Sequence, residues 1–243
     1  MQRLRMLVVL AIGLLPASTA KNRLLRACGF EIHPTARISP VVLQNVAVMR
    51  CAAGVVVQAG SWYKGLTRID LGEGVIVGRW NTFTASPIYR VPGGAREPEH
   101  VGALVMGAYA YITNRHYFDC SGGVLMADWA AFGGLHTVVL SHTLELEKLV
   151  SRCEPVRLGD HSFIGSCCTV AAGAVLPDRC VVAMGSVVRP GLTSEETLYG
   201  GVPARVVRSG IAHWEWFRRP PYTGVEEGRL NDAVAAVEAA QTR

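Results

Sequence analysis

Seven histidines carry most of the reactive potential of this sequence: His33, His100, His116, His136, His142, His161 and His213. A neutral imidazole, with a pKa near 6.5, can take up a proton at physiological pH or bind a divalent metal through one ring nitrogen. Three of them, His116, His136 and His142, fall in one stretch that also holds the carboxylates Asp119 and Glu145. Either chemistry needs a second layer. A base is oriented by an acid on its other nitrogen, and a catalytic zinc site needs three ligands around an open position. The seven cysteines, Cys28, Cys51, Cys120, Cys153, Cys167, Cys168 and Cys180, offer less. Their number is odd, no pair has the C-x-x-C spacing, and most sit inside apolar runs, so they read as reduced core residues of a cytosolic protein.

Which of these groups can meet depends on the elements that carry them, and the composition points to repetition. Gly is frequent at 26 of 243 residues, while charged residues make up 18% and aromatics 7%. Such a chain buries small aliphatic side chains and turns often. From Leu158, large aliphatics recur every sixth residue at Ile164, Val170, Leu176, Val182 and Val188. Four residues after each of the first five comes a small side chain, at Ser162, Cys168, Ala174, Cys180 and Ser186. This period is neither 2 nor 3.6, which excludes both an amphipathic strand and a helix. It suits a short strand and a tight corner, three sides closing one triangular coil. The same phase runs upstream through Leu71, Val77, Met106, Ile112, Met126, Phe132 and Val138, which predicts at least five coils, with a weaker start near Ile32 and Ile38.

The phase is interrupted twice, over residues 85–103 and 144–155, and both insertions follow the third side, at Phe83, Phe118, Val138, Val170 and Val188. Two loops leaving a rigid scaffold at one corner make a binding cleft. By the same phase His116 and His136 stack on adjacent coils, as structural residues, while His142 lies against the second insertion. The organisation expected is an N-terminal segment over residues 1–30, a coil over 31–208, and an aromatic tail over 209–243 with a short helix marked by Leu230, Val234 and Val237.

The net charge of +5 is matched by Arg3, Arg5, Lys21, Arg23 and Arg26 alone, with no acid in residues 1–30. The rest is near neutral, which argues against nucleic acid as a partner. The apolar run Met6–Leu15 is too short to span a bilayer. It reads as an uncleaved segment lying in the cytosolic membrane interface through residues 1–28, as a helix capping the core, or as a secretory signal cleaved after Ala20.

The run from Leu158-Gly-Asp-His-Ser-Phe-Ile-Gly through Gly185-Ser-Val-Val to Gly201-Val-Pro-Ala-Arg resembles the hexapeptide-repeat acyltransferases, over roughly residues 69–208. The start, Leu15-Pro-Ala-Ser followed by Lys21-Asn-Arg-Leu-Leu-Arg, resembles the polysaccharide O-acetyltransferases of that group. The resemblance implies an all-β, left-handed parallel β-helix that assembles as a homotrimer. It implies acetyl-CoA as acyl donor without a metal, and transfer to a hydroxyl of a carbohydrate such as a cell-surface sugar or glycan precursor. It also implies a histidine general base, because a hydroxyl must lose its proton as it attacks the thioester. The stretch ending in His142 resembles the one that carries that base. Asp119, one coil earlier, and Glu145 in the loop are candidates for its orienting acid, and Gly185, Ser186, Gly201, Pro203 and Ala204 carry over as acyl-CoA contacts. Two rival readings share the coil. A γ-type zinc carbonic anhydrase would draw ligands from His116, His136 and His142, and a non-catalytic scaffold would bind no coenzyme A.

Overall fold

The computed structural model describes residues 2–90 and 97–219, and the segment predicted as a C-terminal helix lies outside them. The chain winds a left-handed parallel β-helix. Its first sheet stacks seven strands, from Glu31–Ile32 to Val175–Leu176, and its third stacks seven, from Val42–Gln44 to Val187–Val188. The second has nine, because the antiparallel pair Thr197–Gly200 and Arg205–Ser209 closes it. Parallel strands stack at roughly 4.8 Å, so inward side chains form columns. Cys51, Leu71, Met106, Met126, Leu158 and Leu176 make one such column on the first side, and Val57, Val77, Ile112, Phe132, Ile164 and Val182 one on the second. On the third side Tyr63, Phe83 and Phe118 stack face to face, with centroids 4.7 and 4.9 Å apart. All of these are buried.

Two complete coils, over residues 31–44 and 48–64, precede the stretch whose phase is plain in the sequence. The second of them turns Cys51, Val57 and Tyr63 inward, one from each side, spaced by six but chemically mixed, so the aliphatic signal is weak there.

The third side also departs from the predicted phase at one coil. Val139, not Val138, pairs with Val170 and points inward. The cause is one extra residue: Ile112 and Asn114 pair with Phe132 and Leu135, so the later strand bulges at Gly133-Gly134. Gly134 has φ +72°, and a Cβ there would fall 1.6 Å from the Ser166 hydroxyl oxygen, so only glycine fits the bulge.

Helices α1 (Gln2–Gly13) and α2 (Thr19–Ala27) lie over the first coil and bury Val9, Ile12 and Leu25 in the same core. A repeat stack needs such a cap because its last coil has no neighbour to cover it. Lys21 fastens the join. It is fully buried, and its ammonium donates to the carbonyls of Gly13, Leu15 and Ser39 at 2.7, 2.9 and 2.9 Å. Burial pulls its pKa down to about 8, so it remains charged at neutral pH. The stretch from α1 to Lys21 thus packs as the helical cap of the first coil. Among the described residues no helix is long and apolar enough to cross a membrane.

Replacing Lys21 by Met leaves three carbonyls without their donor. The cost expected is about 2 kcal/mol, a fall of roughly 4–8 °C in Tm by scanning calorimetry.

Candidate active site

Both insertions leave the corner that follows the third side. The first carries short helical turns at Pro87–Arg90 and Pro98–His100, and the second folds as an antiparallel hairpin of His142–Glu145 with Val150–Cys153. Their inner surfaces meet. Tyr89 is nearly buried, packs with Val101 and Cys153, and donates or accepts a 2.6 Å bond with the Ser151 hydroxyl. Its ring lies against the imidazole of His142, with centroids 5.5 Å apart.

His142 begins the hairpin. Its Nδ1 donates to Asp119 Oδ2 at 2.6 Å, which leaves Nε2 as the ring's free lone pair. The imidazole is 42% exposed while the Asp119 side chain is only 5% exposed. Asp119 ends the strand Tyr117–Asp119, and the loops cover it. Its carboxylate is held on every side. Oδ1 accepts from the Ser121 amide at 3.2 Å and the Ser121 hydroxyl at 2.5 Å, and Oδ2 accepts from the Ser141 amide at 3.0 Å. The Ser141 hydroxyl bridges back to the Asp119 carbonyl at 2.7 Å. A buried carboxylate with this many donors is fixed in position, and it fixes the imidazole in turn. The arrangement can take a proton at Nε2 and stabilise the imidazolium that results.

The second candidate acid, Glu145, does not reach His142. It lies three residues along the hairpin and pairs with Lys148 at 2.9 Å and Arg152 at 2.8 Å, bracing the turn. Tyr89, Ser121 and Ser141 were not singled out from the sequence. Asp-x-Ser at 119–121 is a legible signal, since a carboxylate accepting from the amide two residues on is a common turn. Tyr89 had none, because its place depends on how two loops fold.

His116 and His136 do not stack as their phase predicts. The extra residue at Gly134 carries His136 into line with Arg115, whose carbonyl accepts the His136 amide at 3.1 Å, and both residues have left-handed φ. His136 is exposed at the corner rather than stacked on His116. His116 is buried, and Thr137 takes the place above it. Its Nδ1 accepts the Thr137 amide at 3.1 Å, so Nε2 carries the proton, towards Thr113 Oγ1 at 2.9 Å. Both nitrogens of His116 are engaged, and among the described residues His116, His136 and His142 do not gather within the chain as a ligand trio for zinc. The tight carboxylate–histidine grouping that the described residues do contain, Glu97, Glu99 and His100, lies in the first insertion, where Glu97 also pairs with Arg157.

The thiols beside the site are poor nucleophiles. Burial, and then the charge of Asp119, pushes Cys153 up to about 12, and burial raises Cys120 well above the ordinary thiol range.

The residues carried over for acyl-CoA contact gather at the last coil, separated from the His142 coil by one third-side strand. The Ser186 hydroxyl donates to the Ala183 carbonyl at 2.6 Å and accepts the Gly201 amide at 3.2 Å, and Ala204 is buried in the core. These two shape the exit turn with their side chains turned inward. Gly185 and Gly201 have φ of +72° and +99°, with open space over Gly185, and Pro203 follows a cis peptide.

With the coil and site in view, comparison with known proteins defines the class. A sequence profile described as the hexapeptide repeat of succinyl-transferase matches residues 155–190. The fold is thus a left-handed β-helix of six-residue repeats, and the profile falls on its last coils. A curated relative, "Probable acetyltransferase Rv3034c" of Mycobacterium tuberculosis, is 28% identical over 173 residues, covering 71% of this chain and 53% of its own. The chain therefore spans about half the length of the curated relative it matches. Among solved structures, AntD, an N-acyltransferase from Bacillus cereus, in complex with dTDP and 3-hydroxybutyryl-CoA, aligns with a TM-score of 0.51 at 14% identity, over 88% of this chain and 96% of its own. A variant of the same enzyme with dTDP and coenzyme A aligns at 0.53 and 14%, over 90% of this chain and all of the other. These likenesses concern the fold.

Burial, and then the charge of nearby His136, lower the His116 pKa to about 4. Its folded value lies below its unfolded one, so between them the unfolded chain binds the extra proton. The stability this ring permits is full above pH 6.5 and falls as pH drops towards 4, by up to about 3 kcal/mol. Tm measured from pH 7 to 4.5 should show that fall, and His116→Gln should flatten the slope whatever it does to the midpoint.

Proposed function

We propose that this protein is an acyl-CoA-dependent O-acyltransferase that moves an acetyl group from acetyl-CoA to a hydroxyl of a sugar or glycan precursor. The observation that carries the reading is the His142–Asp119 pair, held by Ser121 and Ser141 at the corner where the two insertions meet. The relative described as a probable acetyltransferase and the shared fold of an acyl-CoA-using enzyme support it.

In this reading His142 Nε2 takes the hydroxyl proton as the oxygen attacks the thioester carbonyl. The C–S bond then breaks, and the imidazolium returns its proton to the departing sulfur. Asp119 does not change protonation. It keeps the proton on Nδ1 and offsets the charge formed on the ring. A backbone N–H from a coil corner would meet the oxyanion. A hydroxyl is favoured over an amine because its proton is hard to remove without a base. The open backbone at Gly185 and Gly201 would receive the donor, and neighbouring coils of a homotrimer would wall the cleft.

Peripheral membrane contact belongs to the same proposal. The face of α1 turned from the coil exposes Leu4, Leu7 and Val8, the turn after it exposes Leu14 and Leu15, and α2 adds Leu24. Arg3 and Arg23 are exposed beside them. An apolar face rimmed with bases and lacking acids suits an anionic lipid surface, where a lipid-linked or polymeric glycan would be met.

His142→Ala should lower transfer by roughly 10²–10⁴, the usual worth of a general base, with coenzyme A affinity by calorimetric titration close to wild type. Asp119→Asn should lower kcat with little change in the donor Kd. A chain that binds no coenzyme A would instead be a scaffold. In a separate test, Leu7→Glu with Leu14→Glu should release the protein from anionic phosphatidylglycerol vesicles without lowering Tm, because both side chains are exposed, one on α1 and one in the turn that follows it. Unchanged sedimentation with vesicles would remove the membrane contact.

A further inference from the structure

Among the described residues, the aromatic side chains that are substantially exposed all lie on or beside the outer face of the third sheet: Trp62 at 38%, Trp80 at 61% and Tyr117 at 40%. The other aromatics of the coil are packed inside it or against one another, so this concentration asks for a physical reason. Trp62 and Tyr117 are both paired with Thr82, one on each side, so they stand two ladder steps apart, roughly 9–10 Å.

Both rings are held rather than loose. The Trp62 indole N–H donates to Gln44 at 3.1 Å, and the Tyr117 hydroxyl meets the Thr84 hydroxyl at 3.0 Å. Each partner lies diagonally on the preceding coil, so the two rings lean the same way over the sheet. Trp80 rests on Gly60, where an added Cβ would come within 2.5 Å of its ring. Polar groups interleave with the rings: Gln44, Lys64, Thr82 and Thr84, with the Lys64 ammonium 5.4 Å from the Trp62 ring.

The same strand joins this face to the candidate base. Side chains alternate along a strand, so Tyr117 and Asp119 project from one side of Tyr117–Asp119. Tyr117 stands in the open, and Asp119 is covered by the hairpin that begins with His142. The face is therefore continuous with the site.

We infer that the outer face of the third sheet is a binding platform for an extended oligosaccharide, whose chain stacks on Trp62, Tyr117 and Trp80 and leads one hydroxyl to His142. Pyranose rings present flat C–H faces that pack on aromatic rings, and their hydroxyls bond to the polar side chains between. Preordered rings with satisfied tips bind with little loss of entropy. Lys64 adds a cation for hydroxyls or for acidic sugars. The inference rests on the acyltransferase reading for its direction, and it makes the acceptor a chain of sugars rather than a single one.

The test is binding without turnover, on the full chain, with linear hexasaccharides of β-linked glucose, N-acetylglucosamine and mannose, each against its disaccharide. Titration is followed by tryptophan fluorescence and calorimetry. At least one hexasaccharide should bind more tightly than its disaccharide, and Trp62→Ala with Tyr117→Ala should weaken it by about tenfold per ring and abolish the advantage of length. Trp62→Phe with Tyr117→Phe should keep most of the affinity, and Gly60→Val, which displaces Trp80, should lose part of it. If no hexasaccharide binds, or if the alanine variant binds as the wild type does, the platform is wrong. If the alanine variant changes the assembly size by light scattering with no sugar bound, the face is an interface between copies instead. Ring-dependent binding with full transfer by His142→Ala would overturn the catalytic reading and leave the platform standing, whereas ring-independent binding with transfer lost in His142→Ala would do the reverse.

Discussion

Parallel strands stacked at every coil give each interior side chain one neighbour above and one below, and they leave no room for a residue too many on any side. A surplus must leave at a corner or shift the phase of the residues after it. That constraint accounts for most of the features that distinguish this protein. The two long surpluses leave at the same corner, after Thr82–Thr84 and after Val138–Val139, and they meet there because the coils beneath hold them a short distance apart. One short surplus, at Gly134, stays within the stack as a bulge. It turns His136 outward and sets Thr137 above His116.

The candidate site uses the rigidity of the coil and the irregularity of the loops together. Asp119 is supplied by a strand, so its position is fixed by the ladder, while His142 comes from a hairpin that leaves the ladder. A carboxylate buried without partners would be costly. Here the amides and hydroxyls of Ser121 and Ser141, together with the imidazole, satisfy it, and the Ser86 amide, bonded to the Ser121 hydroxyl at 2.9 Å, ties in the first insertion. Tyr89 and Ser151 close the other side, so the imidazole is gripped between a strand, a hairpin and a helical turn.

The outer surfaces divide along similar lines. At the first coil, α1 turns one apolar face to the core and leaves the other bare. The second sheet is covered near its end by the tail, where Trp216 packs edge-on against Phe163 and donates to the His161 carbonyl at 2.9 Å, and Arg219 lies over the Trp216 ring. The third sheet keeps its aromatics uncovered, on the face that runs into the site. A coil with three flat sides can thus hold separate surfaces for the cap, the tail and a ligand without any of them disturbing the interior.

By itself the sequence determined the coil, because burial imposes a six-residue period that Leu158, Ile164, Val170, Leu176, Val182 and Val188 display without interruption. It also determined that both insertions share a corner and made Asp119 and Glu145 the candidate acids for His142. It was less informative over residues 48–64, where cysteine and tyrosine fill interior positions in place of aliphatics. Tertiary structure alone decided the rest. Six-fold counting cannot register a glycine bulge, so the environments of His136 and His116 were exchanged for new ones by a single residue. Nor can it tell which acid in reach of a loop will turn towards the ring. Glu145 is nearer in sequence, yet Lys148 and Arg152 hold it along the hairpin, whereas Asp119 reaches His142 because the stacking of two coils places it directly beneath.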